Sequence, residues 1–109
     1  MKQNKALSML GLAKRAGKVV SGEFSVEKAV KSGKAYLVIV AEDASANTRK
    51  NFTDMCTYYE LPLIFTGTKE TLGHAIGCEL RASVAVTDSG FAQSIEKCVK
   101  VSDEDIRSI

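Results

Sequence analysis

Glu42 and Asp43 stand side by side behind an apolar run, and paired carboxylates can share general acid and base work. Adjacent residues rarely converge on one substrate atom, however. Asp43 reads better as a turn or helix-start residue, and Asp88, in "TDSG", reads the same way. His74 has no second ligand near it in the chain and reads as a surface or half-buried imidazole. Cys56, Cys78 and Cys98 lack the paired spacing of a zinc site. An odd number of cysteines without an export signal reads as reduced thiols used as small core residues. Neither Gly-x-Gly-x-x-Gly nor a Walker loop occurs, although "GLAKRAG" and "TGTKETLG" hold glycines and lysines. No catalytic residue, metal set, cofactor or small-molecule substrate is therefore expected.

The residues around "VVSGEFSVEKAVKSGKA" (19–35) offer binding chemistry instead. Lys14, Arg15 and Lys18 come just before Ser21-Gly22, where a helical pattern begins. A helix start presents unpaired N–H groups and the positive end of a dipole to an anion such as phosphate. Glycine lets a backbone come close to a ligand, and Lys28 lies one to two turns in. The alternative is that Ser21 caps, Gly22 turns and Lys28 is merely solvated. On these residues alone the two readings are equal. Charge favours the first. Residues 1–34 hold eight of the fifteen Lys/Arg, Lys31 and Lys34 among them, and two of the thirteen acids, a net +6; the rest is −4. Such one-sidedness within a chain of net charge +2 is the footprint of an anionic partner.

The elements that must carry these residues follow from periodicity. The chain has the length of one domain, is 45% hydrophobic and contains a single proline, Pro62. No apolar run approaches the roughly 18 residues of a membrane span. The opening "MKQNKALSML" is polar before it turns apolar, with no leader pattern, so a cytoplasmic location is expected. Residues 4–16 read as a helix with Ala6, Leu7, Leu10 and Ala13 on one face, stopped by Gly17. "KVV" is a short strand, and the next helix has Val26, Ala29, Val30 and Gly33 at helical spacing. "AYLVIVA" (35–41) is too continuous for a half-exposed strand and reads as a central one. A helix with the stripe Phe52, Met55, Cys56, Tyr59 follows, then the strand "LPLIFT", the short helix "KETLGHAIG", the strand "ASVAVTD", and a last helix burying Phe91, Ile95, Cys98 and Val99. This alternation predicts an α/β fold, a three-layer α/β/α sandwich around a small mixed, mostly parallel sheet. It forms one domain over residues 1–101, with an acidic tail over 102–109.

The run "SGEFSVEKAVKSGKAYLVIVAEDAS", followed by "LPLIFTGTKETLGHAIG" and "SVAV", resembles the kink-turn RNA-binding ribosomal-protein family, the L-seven-Ae and L-thirty-e type. "LGLAKRAGKVVSGE" and "VAVTDSGFA" look closest to its small bacterial YlxQ-type branch. The match runs from about Leu10 to Phe91. The resemblance implies RNA binding at the start of the second helix, in the widened groove of a sharply bent RNA with tandem sheared G·A pairs. The family pattern of glycine, any residue, asparagine, glutamate, two residues and lysine falls on Gly22, Glu23, Phe24, Ser25 and Lys28. Gly22 and Lys28 match, whereas Phe24 and Ser25 replace the two guanine readers.

An extruded nucleotide, by the same resemblance, is held by Ser45 and Arg49 at the third helix, Lys69 before the fourth and the loop "ELRAS" with Arg81. In the family's nucleic-acid-binding members the third-helix pair is commonly an acid and an aliphatic residue. Arginine in place of specific readers points to phosphate contact over base discrimination. The expected function is non-catalytic binding of a kinked or structured RNA, as a ribosomal or ribonucleoprotein-associated protein that is a monomer when free. Its contacts would come from these residues together with Lys14, Arg15, Lys18 and Lys31. A protein-interaction module on the same fold, with specific RNA readout lost, is the alternative.

Overall fold

The computed structural model describes residues 5–107, so Lys2 and the last two residues of the expected tail lie outside the described residues. Five helices alternate with four strands: α1 Lys5–Arg15, β1 Val19–Ser21, α2 Glu23–Lys31, β2 Leu37–Val40, α3 Ala46–Tyr58, β3 Leu63–Phe65, α4 Lys69–Ala75, β4 Ser83–Val86 and α5 Ser89–Arg107. Their order follows the hydrophobic periodicity closely. In α1 Ala6, Leu10 and Ala13 are buried, and in α2 Val26, Ala29 and Val30 are. The α3 stripe is buried at Phe52 and Cys56 and half-buried at Met55, while Tyr59 lies at the surface. All four residues of β2 and all four of β4 are buried, as central strands flanked by helices on both faces must be.

The sheet order is β1-β4-β2-β3, and this corrects the expectation of a mostly parallel sheet. β2 and β3 pair in parallel, but β4 is antiparallel to both β1 and β2. The units β1-α2-β2 and β2-α3-β3 do point their strands the same way, as alternation predicts. The exception comes from α4, whose seven residues do not end the return. After Gly77, at a φ of 74°, the chain doubles back along α4, and the Arg81 amide donates to the Lys69 carbonyl at 3.0 Å. β4 therefore starts at the end of the sheet where β3 stops, and it slots between β1 and β2 in the opposite direction.

α1 packs on α5 and α4 to form one helical layer, while α2 and α3 lie side by side against the sheet as the other. Phe52, Leu10, Leu37, Ile39, Leu72 and Ile95 are the largest side chains fully buried between them. No helix among the described residues is long and apolar enough to cross a membrane. Cys56, Cys78 and Cys98 form no disulfide. Burial pushes the Cys56 thiol up from 9.0 to about 11. Keeping it neutral contributes stability that is fully present below its ordinary 9.0 and is lost as the pH rises through about 11. Thermal melts across that window are expected to fall more steeply for the unmodified protein than for Cys56→Ala.

Candidate nucleic-acid interface

Strand register decides which loops meet. Ser21 lies opposite Val84, Val40 opposite Ser83, and Val40 beside Phe65. The carboxyl ends of β1, β2 and β3 and the amino end of β4 therefore share one end of the sheet. Four segments emerge there: Ser21–Ser25 entering α2, residues 41–45 entering α3, residues 66–69 entering α4, and residues 79–82 entering β4.

A continuous set of hydrogen bonds ties these segments together. Gly22 N donates to the Ser83 carbonyl at 3.1 Å, and Ala41 N to that of Ala82 at 2.9 Å. Glu42 N donates to the Gly67 carbonyl at 2.8 Å. Asp43 Oδ1 accepts from Lys69 N at 2.8 Å, so this acid caps the first amide of α4, a helix 26 positions on. Arg81 closes the set: its Nε donates to Ser21 Oγ at 3.1 Å and its Nη1 to the Leu80 carbonyl at 2.8 Å. Ser21 therefore anchors the 79–82 loop and does not cap α2. Its remaining N–H groups leave Arg81 able to donate outward.

The start of α2 is open. Gly22 sits at φ 92° and ψ 146°, a conformation that side chains of L-residues strongly disfavour, and no side chain caps the helix. Glu23, Phe24, Ser25 and Lys28 are all exposed, Phe24 to 78%. That value decides between the two fates of Phe24: it is a surface aromatic and not a core residue. With Glu27, Lys28, Lys31 and Ser32 it lines a shallow groove of about 400 Å³ along the outer side of α2. Glu27 pairs with Lys31 at 3.3 Å across one helical turn, a surface bridge of small energetic weight. Glu23 and Glu27 also line the cleft towards Asn51 and Met55 of α3. The helix thus carries Glu23 on the α3 side, Phe24 with Lys28 on the outer side, and Glu27 between the two.

The neighbouring segments add cations. Ser45 caps α3 by accepting from Thr48 N at 3.1 Å, and Arg49 is exposed one turn later. Lys69 opens α4 behind a Thr68–Thr71 capping box. Gly22, Glu23, Phe24, Ser25, Lys28, Ser45, Arg49, Lys69 and Arg81 are therefore gathered on one end of the molecule. Lys14, Arg15 and Lys18 are not. Lys18 N donates to the Ala13 carbonyl at 2.9 Å, and Thr87 N to that of Lys18 at 2.8 Å, at the Val19–Val86 end of the sheet. Nearness in sequence to Ser21 misleads because β1, of roughly 10 Å, separates them. Lys31 likewise lies at the far end of α2. His74 is exposed and lines a groove of about 660 Å³ between α1 and α4 with Arg15 and Glu70.

Two site features escaped the sequence reading. One is the Ser21–Arg81 bond. The other is Gly73, on which the Glu79 backbone rests so closely that no Cβ fits between them. Only the glycine itself, inside an otherwise good helix pattern, signalled it.

A mixed sheet between two helical layers, with an open helix start and three bonded loops at one end, defines a small α/β binding fold, and no cluster of His, Cys, Asp or Glu that could hold a metal occurs among the described residues. The chain belongs to the ribosomal protein L7Ae/L30e/S12e/Gadd45 family, whose sequence profile matches residues 4–96. Within it, the chain is similar to the RNA-binding protein YlxQ of Bacillus subtilis, with 51% identity over 87 residues, 80% of this chain and 87% of that one. It is 35% identical to the YlxQ of Enterococcus faecium over 98 residues, 90% of this chain and 94% of that protein. A solved protein with unknown function from Bacillus halodurans superposes with a TM-score of 0.87 at 39% identity, over 90% of this chain and 99% of that one. The 15.5kD RNA binding protein of Giardia lamblia shares the fold, with a TM-score of 0.76 at 20% identity over 92% of this chain and 89% of that one. The family resemblance and the YlxQ branch read from the motifs are both borne out.

Proposed function

We propose that this chain is a non-catalytic RNA-binding protein that docks a kinked, structured RNA on the loop-bearing end of its sheet, in association with a ribonucleoprotein. The observation that carries this reading is the convergence of an open α2 start, an exposed Phe24, the helix cations Lys28, Arg49 and Lys69, and the loop residue Arg81 at one end of the sheet, where hydrogen bonds hold the connecting loops in one arrangement. Such a frame meets an RNA with little ordering left to do, which favours affinity. Family membership and relatives described as RNA-binding support it.

Each residue has a distinct task. The α2 amides, opened by Gly22, donate to a phosphate or base-edge oxygen. Phe24 stacks on an unpaired base, and Ser25 offers one short hydroxyl contact. Lys28, Arg49, Lys69 and the free N–H groups of Arg81 neutralise phosphates. Because Phe24 and Ser25 cannot read base edges as an amide and a carboxylate do, bent shape and an unstacked base contribute more to selection than sequence does. A cytoplasmic location and a monomeric free state go with this function.

Reversing Lys28, Arg49 and Lys69 together to Glu is expected to weaken RNA binding at least about tenfold and to lower the salt slope of the affinity by about 2–3. The melting temperature should stay nearly unchanged, since Lys28 and Arg49 are exposed and Lys69 half-buried, and charges at the surface contribute little to folding. RNA titrations beside thermal melts check this, and equal affinity before and after would remove this face from the site.

A further inference from the structure

We infer that the opposite end of the sheet is a second RNA contact, which takes a single-stranded segment flanking the structured RNA; the inference rests on the RNA-binding function proposed above. The residues that sequence adjacency assigned to the α2 start gather there instead. Lys14 and Arg15 end α1, Lys18 precedes β1, Lys31 ends α2 and Lys34 follows it, and all five are exposed. Hydrogen bonds place Lys18, Thr87 and Tyr36 across three adjacent strands: Thr87 N donates to the Lys18 carbonyl at 2.8 Å and Tyr36 N to that of Val86 at 2.9 Å. Strand spacing puts Tyr36 about 10 Å from Lys18. Tyr36 is half-exposed, at 49%.

The local acids offset only part of this charge: Glu27 pairs with Lys31 at 3.3 Å, Glu70 lines the same groove as Arg15, and Asp88 caps α5 by accepting from Phe91 N at 2.9 Å, against five cations. Glu60 precedes β3, at the other edge of the sheet. Helix dipoles explain part of the pattern, because Lys14, Arg15 and Lys31 sit in last turns where cations stabilise. They do not explain Lys18 and Lys34, which lie beyond both helices. Cations spread around an exposed aromatic fit a strand of phosphates with an unstacked base, the arrangement of sequence-tolerant single-strand binding. An apolar or cationic partner would have nothing to match there.

The test uses the full chain, its Lys14→Gln/Lys18→Gln/Lys34→Gln variant and, separately, Tyr36→Leu. Each is titrated against a minimal kink-turn RNA and the same RNA carrying single-stranded extensions of about ten nucleotides. The unmodified protein is expected to bind the extended RNA more tightly and with the steeper salt slope. The triple variant should lose about 2 units of that slope and the added affinity, at about 0.7 per single-strand contact. Tyr36→Leu should lose part of the added affinity and keep the slope. Binding of the minimal RNA should stay the same in all three. Identical slopes for the extended RNA, or equal losses on both RNAs, would overturn the second contact and leave the first intact. No binding of the minimal RNA by the unmodified protein would overturn the function on which the second contact rests, and the second contact with it.

Discussion

Gly73→Ala is expected to lower the melting temperature by about 5–15 °C, although alanine is the better helix former. Propensity alone predicts a gain of about 1 kcal/mol at a helical position. The surroundings reverse the sign. A Cβ at Gly73 would lie 1.3 Å from the Glu79 carbonyl oxygen and 2.5 Å from its carbon. Both are backbone atoms that cannot swing aside, and the same segment is fastened by Cys78 N donating to the Gly73 carbonyl at 2.8 Å. Relief requires the 78–82 loop to leave α4, an overpacking cost of about 2–3 kcal/mol. Arg81 lies two residues further on. Moving it breaks the 3.1 Å bond to Ser21 and the 3.0 Å bond to the Lys69 carbonyl. RNA affinity should therefore fall along with stability, and a variant that melts as the original does would show that the loop does not depend on this glycine.

Phe24→Ala is expected to do the reverse: to leave the melt within about 0.5 kcal/mol of the original and weaken RNA binding about tenfold or more. A side chain 78% exposed buries too little to support folding, so its contribution has to come from a partner. Stacking on an unpaired base is worth about 1–3 kcal/mol. Replacing Phe24 by Asn and Ser25 by Glu should restore two base-edge readers on the same helix start. Preference for a kink-turn over a plain duplex is then expected to sharpen by about tenfold, with each good contact worth about 1–3 kcal/mol by analogy with DNA. Competition titrations of the two RNAs measure it; unchanged affinity in Phe24→Ala would contradict stacking, and unchanged preference in the double variant would contradict the orientation of α2.

These two residues also mark what could be read from the chain alone. Gly22 and Lys28 were singled out by the family resemblance, since the residues alone left a helix-start site and a plain turn equally open, and the structure adds the φ of 92° that favours the glycine. Phe24 was ambiguous, since phenylalanine is a core residue as readily as a surface anchor and only the direction of α2 decides. The element order was legible from periodicity, down to the fully buried "LVIV" and "SVAV" strands. The direction of β4 was not. Alternation of helices and strands implies parallel pairing only when each helix carries the chain the whole way back, and residues 77–82 undo what α4 does. Lys14, Arg15 and Lys18 illustrate the same limit at the site. Counting residues placed them beside Ser21, but a short strand carries the chain from one end of the sheet to the other. Asp43 was legible in kind and not in partner: a capping acid, but for a helix reached only after β3.

The measurement that tests RNA docking most directly is a titration of the whole chain against two RNAs of equal length, a kink-turn with tandem G·A pairs and a straight duplex. Both are followed from about 50 to 200 mM salt. Shape recognition by the α2 start and its bonded loops predicts a preference for the kink-turn that persists across this range, while the absolute affinity of both RNAs falls. Equal binding of the two RNAs that collapses together with added salt would contradict it. The fold would then present a basic surface without a reader, and its exposed Phe24 would belong to a protein partner.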